Sequence, residues 1–202
     1  MLSNLKIINI FENLLKDKIV RKHLIELEKH HKETYEHSIR VGFISIYLGY
    51  KNSLNEREIR LLGYAGLLHD IGKKDISKKI LSKKSKLNKK EELEIRKHPR
   101  NGFIKLKKSG WEEIAKIIIA HHEYEIKSYP RNIKNNIKKI DKRKSNYEIK
   151  ILSEIIAVAD MYDALSNKRA YKKAFGKKDI ETTLENEFIG NRKYINQVIV
   201  LK

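Results

Sequence analysis

The chain has 202 residues, 40% of them hydrophobic, no cysteine and a formal net charge of +19. This length and apolar content suit one domain around one core, and the lack of cysteine excludes a disulfide framework and any thiolate metal site. The longest apolar runs, residues 117–120 and 155–159, fall far short of the roughly 18 residues that a bilayer crossing needs.

Residues 1–11 lack the basic start, apolar middle and small-residue cleavage site of a secretory signal. The expectation is a cytoplasmic protein with no membrane partner. Ile7, Ile8, Phe11, Leu14 and Leu15 recur at helical spacing and predict an amphipathic helix, within a helical extension over residues 1–28 that precedes a domain over 29–202. A second stripe, His37, Val41, Ile44 and Leu48, predicts another helix. Asn55 followed by Glu58, and Asn88 followed by Glu91, form capping-box patterns that open helices carrying Leu62 to Asp70 and Leu93 to His98. Gly72 and Pro99 are the expected stops. Helices then follow from Trp111 to about His122 and from Glu148 to about Leu165, with shorter ones through Tyr171 and from Thr182 to Gln197. Val198 to Leu201 is expected to be extended, and residues 128–147, rich in Asn, Lys and Arg, read as an exposed loop. The fold class is therefore all-α, a single-domain helical bundle.

A charge of +19 invites a nucleic-acid partner, through long-range steering and counterion release. Lysine, isoleucine and asparagine are abundant throughout, however, as an A- and T-rich coding sequence would produce. Charge alone therefore identifies no partner. Lysine is concentrated between Lys73 and Lys90, and basic residues again between Arg131 and Lys144.

Several polar residues break the apolar stripes: Glu33 and His37, His69 and Asp70, His98, His121 and His122, and Asp160. Glu33 and His37 are four apart on one helix face, and His37 continues a stripe that should point inward. His69 and Asp70 end one apolar helix; His121 and His122 end another. Adjacent residues on a helix diverge by about 100°, so neighbours in sequence need not serve the same ion. One inward histidine is usually a hydrogen-bonded core residue. The whole set is harder to explain that way, because buried charges are costly unless paired or bound to metal. Imidazole with carboxylate, and no sulfur, suits manganese, iron or zinc.

In chain order the fragments ETYEHSIRV (33–41), GLLHDIGK (66–73), HPRNG (98–102), HHE (121–123) and AVADMYDAL (157–165), the last followed by KRAYKKA, carry a recognisable pattern. It resembles the HD superfamily of metal-dependent phosphohydrolases and, within it, the HD-GYP branch. The resemblance implies a helical bundle with a central metal site whose ligands are His37, His69, Asp70, His98, His121, His122 and Asp160. Glu33 matches the extra carboxylate found where three metals bind instead of two. Lys73, Arg169 and Lys172 match phosphate-contacting positions. The implied cofactors are two or three divalent ions, iron or manganese first, with zinc, magnesium or nickel as alternatives.

Such a pair of ions, about 3.5–4 Å apart and bridged by one carboxylate, lowers the pKa of a shared water toward about 7 and clamps a phosphate for in-line attack. Asp70 is the candidate bridge, and Lys73 and Arg169 would neutralise phosphate oxygens. Asp70 and Lys73 are thus the candidate catalytic residues. The branch implies a small nucleotide substrate, cyclic di-GMP, opened to the linear dinucleotide or GMP. The substrate loop departs from the pattern: HHEYEIKSYP keeps Tyr129 and Pro130, but Ser128 stands in place of a glycine, an Asp-Gly pair is missing and the segment is one residue shorter. Two alternatives stay open. One is an HD-type hydrolase of another nucleotide or a short oligonucleotide; the other is a non-catalytic, metal-stabilised module that binds RNA or protein.

Overall fold

The computed structural model describes residues 2–128, 147–167 and 174–202. In chain order the helices are α1 (Leu2–Lys16), α2 (Lys18–His30), α3 (Lys32–Lys51), α4 (Glu56–Leu68), α5 (Lys78–Leu81), α6 (Lys89–Ile95), α7 (His98–Lys108), α8 (Glu112–Ile118), α9 (Tyr147–Ser166), α10 (Lys177–Glu187) and α11 (Lys193–Ile199). A 3-10 helix, Ile71–Asp75, follows α4. Among the described residues there is no β-strand, only an isolated bridge between Glu125 and Phe188. None of these helices is long and apolar enough to cross a membrane. The all-α bundle expected from periodicity is the fold observed.

Both capping boxes form. Asn55 accepts from the Glu58 amide while Glu58 accepts from the Asn55 amide, and Asn88 and Glu91 do the same at α6. Each satisfies two amides that the first turn leaves without helical partners.

α3, α4 and α9 make the centre of the bundle. α3 and α4 approach so closely that a Cβ on Gly66 would lie 2.7 Å from the Gly42 Cα. That approach brings the inward face of α3, which carries His37, against the C-terminal end of α4. The buried α3 stripe contains His37, Val41, Ile44 and Leu48, as its spacing predicts. Residues 1–28 contribute Ile7, Ile10, Leu14, Val20 and Leu24 to the same core cluster. Within α1 the buried set is Ile7, Ile10 and Leu14, whereas Ile8 is 43% exposed; Ile10 fits the i, i+3, i+7 geometry better than Ile8 does.

Other local expectations are corrected too, beginning with Gly72, which lies inside the 3-10 helix and does not end α4. Val198 and Ile199 are buried in the last turn of α11, and the Leu201 amide bonds the Val198 carbonyl, so this segment is helix and turn, not extended. Tyr194, Ile195, Val198 and Ile199 share one helical face that the core covers. Pro99 does not stop a helix but sits at the start of α7, where a missing amide costs nothing. The helix beginning near Trp111 ends at Ile118, short of His121. Tyr171 and the basic loop from Arg131 to Lys144 lie outside the described residues.

A candidate metal centre beneath an open cavity

The site is assembled from five places in the chain: the first turns of α3, the α4-to-3-10 junction, the start of α7, the turn after α8, and the middle of α9. At the α4 junction the backbone leaves the α-helix after Leu68, and His69 and Asp70 form the turn that leads into the 3-10 helix. Neighbours that an ideal helix would splay apart therefore converge, with His69 Nε2 3.5 Å from Asp70 Oδ2. Similarly, α8 ends before His121 and His122, and their rings lie 4.1 Å apart, centroid to centroid. Gly72 is required by packing: a Cβ there would lie 1.9 Å from the His98 carbonyl oxygen. Its absence lets the start of α7 press against the turn and bring His98 beside Asp70.

His37, His69, Asp70, His98 and His121 are buried, and Asp160 is 8% exposed. Their ligating atoms fall into overlapping groups whose members lie within 4.8 Å of one another: His37, His69 and Asp70; His69, His121 and Asp160; His98, His121 and His122; and His122, Glu125 and Asp160. Asp70 faces two of these sets. Its Oδ2 is 3.5 Å from His69 Nε2 and 3.7 Å from His37 Nε2, while its Oδ1 is 3.2 Å from His98 Nε2. Lys73 Nζ donates to Asp70 Oδ2 at 2.7 Å.

Hydrogen bonding assigns the tautomers. His69, His98 and His121 direct Nδ1 at the carbonyls of Gly66, Ile95 and Ile118. A carbonyl can only accept, so each Nδ1 carries the proton and each Nε2 presents a lone pair. Burial pulls the His69 imidazole down to about 4 and holds His98, His121 and His122 below the ordinary histidine range as well. These rings are neutral at pH 7. His98 Nε2 and His121 Nε2 nevertheless face each other at 3.1 Å, and the buried Asp70 Oδ1 beside them has no hydrogen-bond partner.

His98 Nε2 thus faces His121 Nε2 and Asp70 Oδ1 acceptor to acceptor, an arrangement that a cation among them would relieve. Burial would raise Asp70 and Asp160, but the Lys73 ammonium leads what outweighs it at Asp70, and the hydrogen bond with His37 does so at Asp160; both are held well below the carboxylate range. Neutral imidazoles and ionised carboxylates are the forms in which these groups bind metal. The donor set fits divalent metal ions.

Two supporting residues escaped sequence reasoning. Asp163, 1% exposed, accepts from His37 Nδ1 at 2.7 Å, from Arg40 Nε at 2.7 Å and Nη2 at 3.0 Å, and from Asn167 Nδ2 at 2.8 Å. Burial pushes Asp163 up, but His37 and Arg40 outweigh that and keep it ionised. The signal was present as two aspartates three apart in AVADMYDAL, which one helix face presents together. Glu125 Oε1 hydrogen-bonds His122 Nδ1 at 2.5 Å, and burial, with Asp160 and Glu187 nearby, pushes its carboxyl up to about 8. Pairing of the Ile126 amide with the Glu187 carbonyl, and of the Ile189 amide with the Tyr124 carbonyl, holds this segment against the end of α10.

Above the cluster opens a cavity of about 930 Å³ whose lining includes His37, Lys73, His98, His122 and Asp160. Glu33 is exposed on that lining, outside the four groups of close ligand atoms. Arg169, Lys172, Tyr129 and Pro130 lie outside the described residues.

A family model described as HD domain matches residues 34–165. The chain is 32% identical over 157 residues to a cyclic di-GMP phosphodiesterase of Pseudomonas aeruginosa, covering 75% of this chain and 35% of that protein. It is 36% identical over 145 residues to a cyclic di-GMP phosphodiesterase of Thermotoga maritima, covering 69% and 36% respectively. A 3'3'-cGAMP-specific phosphodiesterase of Vibrio cholerae is 32% identical over 143 residues, covering 70% of this chain and 29% of that one. The matched region spans about a third of the length of these curated relatives. Among solved structures, the HD domain of the L. monocytogenes phosphodiesterase PgpH in complex with cyclic-di-AMP superposes with a TM-score of 0.58 at 16% identity, over 89% of this chain and 92% of that one. At that identity the likeness concerns the fold.

Proposed function

Since this chain belongs to the HD domain family, we propose that it is a metal-dependent phosphodiesterase that opens cyclic dinucleotides, with cyclic di-GMP as the first substrate to test. The observation that carries this reading is the convergence of His98 Nε2, His121 Nε2 and Asp70 Oδ1, a buried oxygen with no hydrogen-bond donor, beneath the cavity. The names of the P. aeruginosa and T. maritima relatives support the substrate class.

His37, His69, Asp70 and Asp160 would hold one ion, and Asp70, His98, His121 and His122 a second, with Asp70 shared between them. Glu33, at the cavity wall, is assigned to a third. Iron or manganese are the preferred ions for this nitrogen and oxygen set. When bound, the ions supply an activated water and a clamp for phosphate oxygens.

The chain's own residues do the rest. Asp163 and the Gly66, Ile95 and Ile118 carbonyls fix the imidazole tautomers so that each Nε2 faces the shared cluster. Lys73 holds Asp70 in place and puts an ammonium where a phosphate would meet it. Arg169 and Lys172 are assigned to the substrate phosphate, and Tyr129 and Pro130 to the substrate loop, by their match to the HD-GYP pattern. Residues 29–202 would form the catalytic domain with residues 1–28 packed on it, acting in the cytoplasm.

The test is chromatography of cyclic di-GMP after anaerobic incubation with purified protein and either Mn or Fe, beside an Asp70→Ala control. Linear dinucleotide or GMP that is lost in the control is the expected outcome. Metal bound without turnover of any cyclic dinucleotide would refute the reading.

A further inference from the structure

Nine lysines lie between residues 73 and 90, and the fold divides them into three kinds. Lys73, Lys74 and Lys83 pair with Asp70, Glu26 and Glu91, while Lys78 donates to the Lys29 carbonyl. Lys79, Lys89 and Lys90 are exposed and lie outside the cavity lining. Lys84 and Lys86 are exposed and line the cavity. Among the described residues, the other cations of that lining are neutralised: Lys73 by Asp70, Arg40 by Asp163 and Lys83 by Glu91. Lys84 and Lys86 alone have no carboxylate partner there.

The segment that carries them is held at both ends. Ser77 caps α5, the Asn88 capping box starts α6, and Lys83 bonds both oxygens of Glu91 at 2.8 and 2.6 Å. The two free ammonium groups are thus presented on one wall of the cavity by a braced turn, with Ile80 and Leu87 beside them on the lining.

A substrate with one phosphate is fully served at the metal floor. A cyclic dinucleotide carries a second phosphodiester across its ring, which cannot occupy the floor while the first is there. We infer that Lys84 and Lys86 form a subsite for this second, non-scissile phosphate, so that the cavity selects substrates with two phosphates. The inference rests on the phosphodiesterase reading of the floor, and its test separates the two.

The experiment compares the native protein with Lys84→Ala/Lys86→Ala and, as a charge-matched control, Lys89→Ala/Lys90→Ala. Each is assayed with Mn on cyclic di-GMP and on bis(p-nitrophenyl) phosphate, which has a single phosphate. Loss of two partly screened ammonium–phosphate contacts should lower the ratio of kcat/KM for cyclic di-GMP to that for the one-phosphate ester by about tenfold in the first variant. The salt dependence of KM for cyclic di-GMP should flatten in parallel. The control variant should retain the native ratio. An unchanged ratio in the first variant, or an equal fall in both, would overturn the subsite.

If the native protein fails to cleave either ester, the phosphodiesterase reading falls. Equilibrium dialysis with labelled cyclic di-GMP then decides the subsite by itself. A Kd weakened about tenfold by Lys84→Ala/Lys86→Ala alone sustains it, and an unchanged or unmeasurable native affinity overturns it.

Discussion

Replacing Asp163 tests whether a residue that touches no substrate controls the metal centre. Its carboxylate takes hydrogen bonds from His37 Nδ1 at 2.7 Å, Arg40 at 2.7 and 3.0 Å and Asn167 at 2.8 Å. In Asp163→Ala, His37 loses the partner that fixes its ring, and its Nε2 is no longer held 2.9 Å from Asp160 Oδ1. Losing such an orienting carboxylate costs about 10- to 100-fold in metal affinity, or about 1.4–2.7 kcal/mol.

Folding stability should also fall. Breaking a buried pair costs about 3–5 kcal/mol when the partner stays buried, but the Arg40 side chain is 39% exposed and can turn to water. The expected loss is therefore smaller, about 1–3 kcal/mol. Asp163→Asn retains an oxygen for His37 Nδ1 and should fall between the two. Competitive Mn titration against a chelator reads the affinity, and thermal melts with and without Mn read the stability. Native Mn affinity in Asp163→Ala, in a variant that is nonetheless less stable, would show that Asp163 supports the fold and not the site.

Gly72→Ala should displace the start of α7, because the new Cβ would meet backbone atoms of its first turn, the His98 oxygen at 1.9 Å and the Gly102 nitrogen at 2.6 Å. A cost of about 1–3 kcal/mol or more in urea unfolding, with reduced metal content, is expected; native values for both would refute the packing argument. The metal-free protein should lose stability as pH falls. His69 has a folded pKa of about 4 against 6.5 unfolded, so the unfolded chain binds the extra proton, and stability present above pH 6.5 is lost between about 6.5 and 4. His69 alone contributes about 2 kcal/mol between pH 7 and 5, and His98, His121 and His122 shift in the same direction. Equal urea midpoints at pH 7 and pH 5, measured with chelator present, would refute the assignment of neutral buried rings.

Much of this molecule was legible in local pattern. Helical spacing and two Asn/Glu capping boxes located most of the helices, because caps and amphipathic stripes are interactions among residues three or four apart. His37, inward on its stripe, and the His-Asp and His-His pairs near helix ends marked the candidate ligands for the same reason. Ile8 was misplaced, and the 198–201 segment was misread, because short apolar runs suit more than one arrangement until a core face is chosen.

Which residues meet was a different matter. His98 reaches Asp70 only because Gly72 admits the start of α7, and His121 joins His122 only because α8 stops early. Asp163 finds His37 across 126 positions of chain, and Lys84 and Lys86 differ from their seven lysine neighbours only in what surrounds them. Hydrogen-bond direction, burial and charge compensation depend on atoms brought together from distant segments. No local period encodes them, and packing alone turned a list of polar exceptions into a candidate metal site beneath a charged wall.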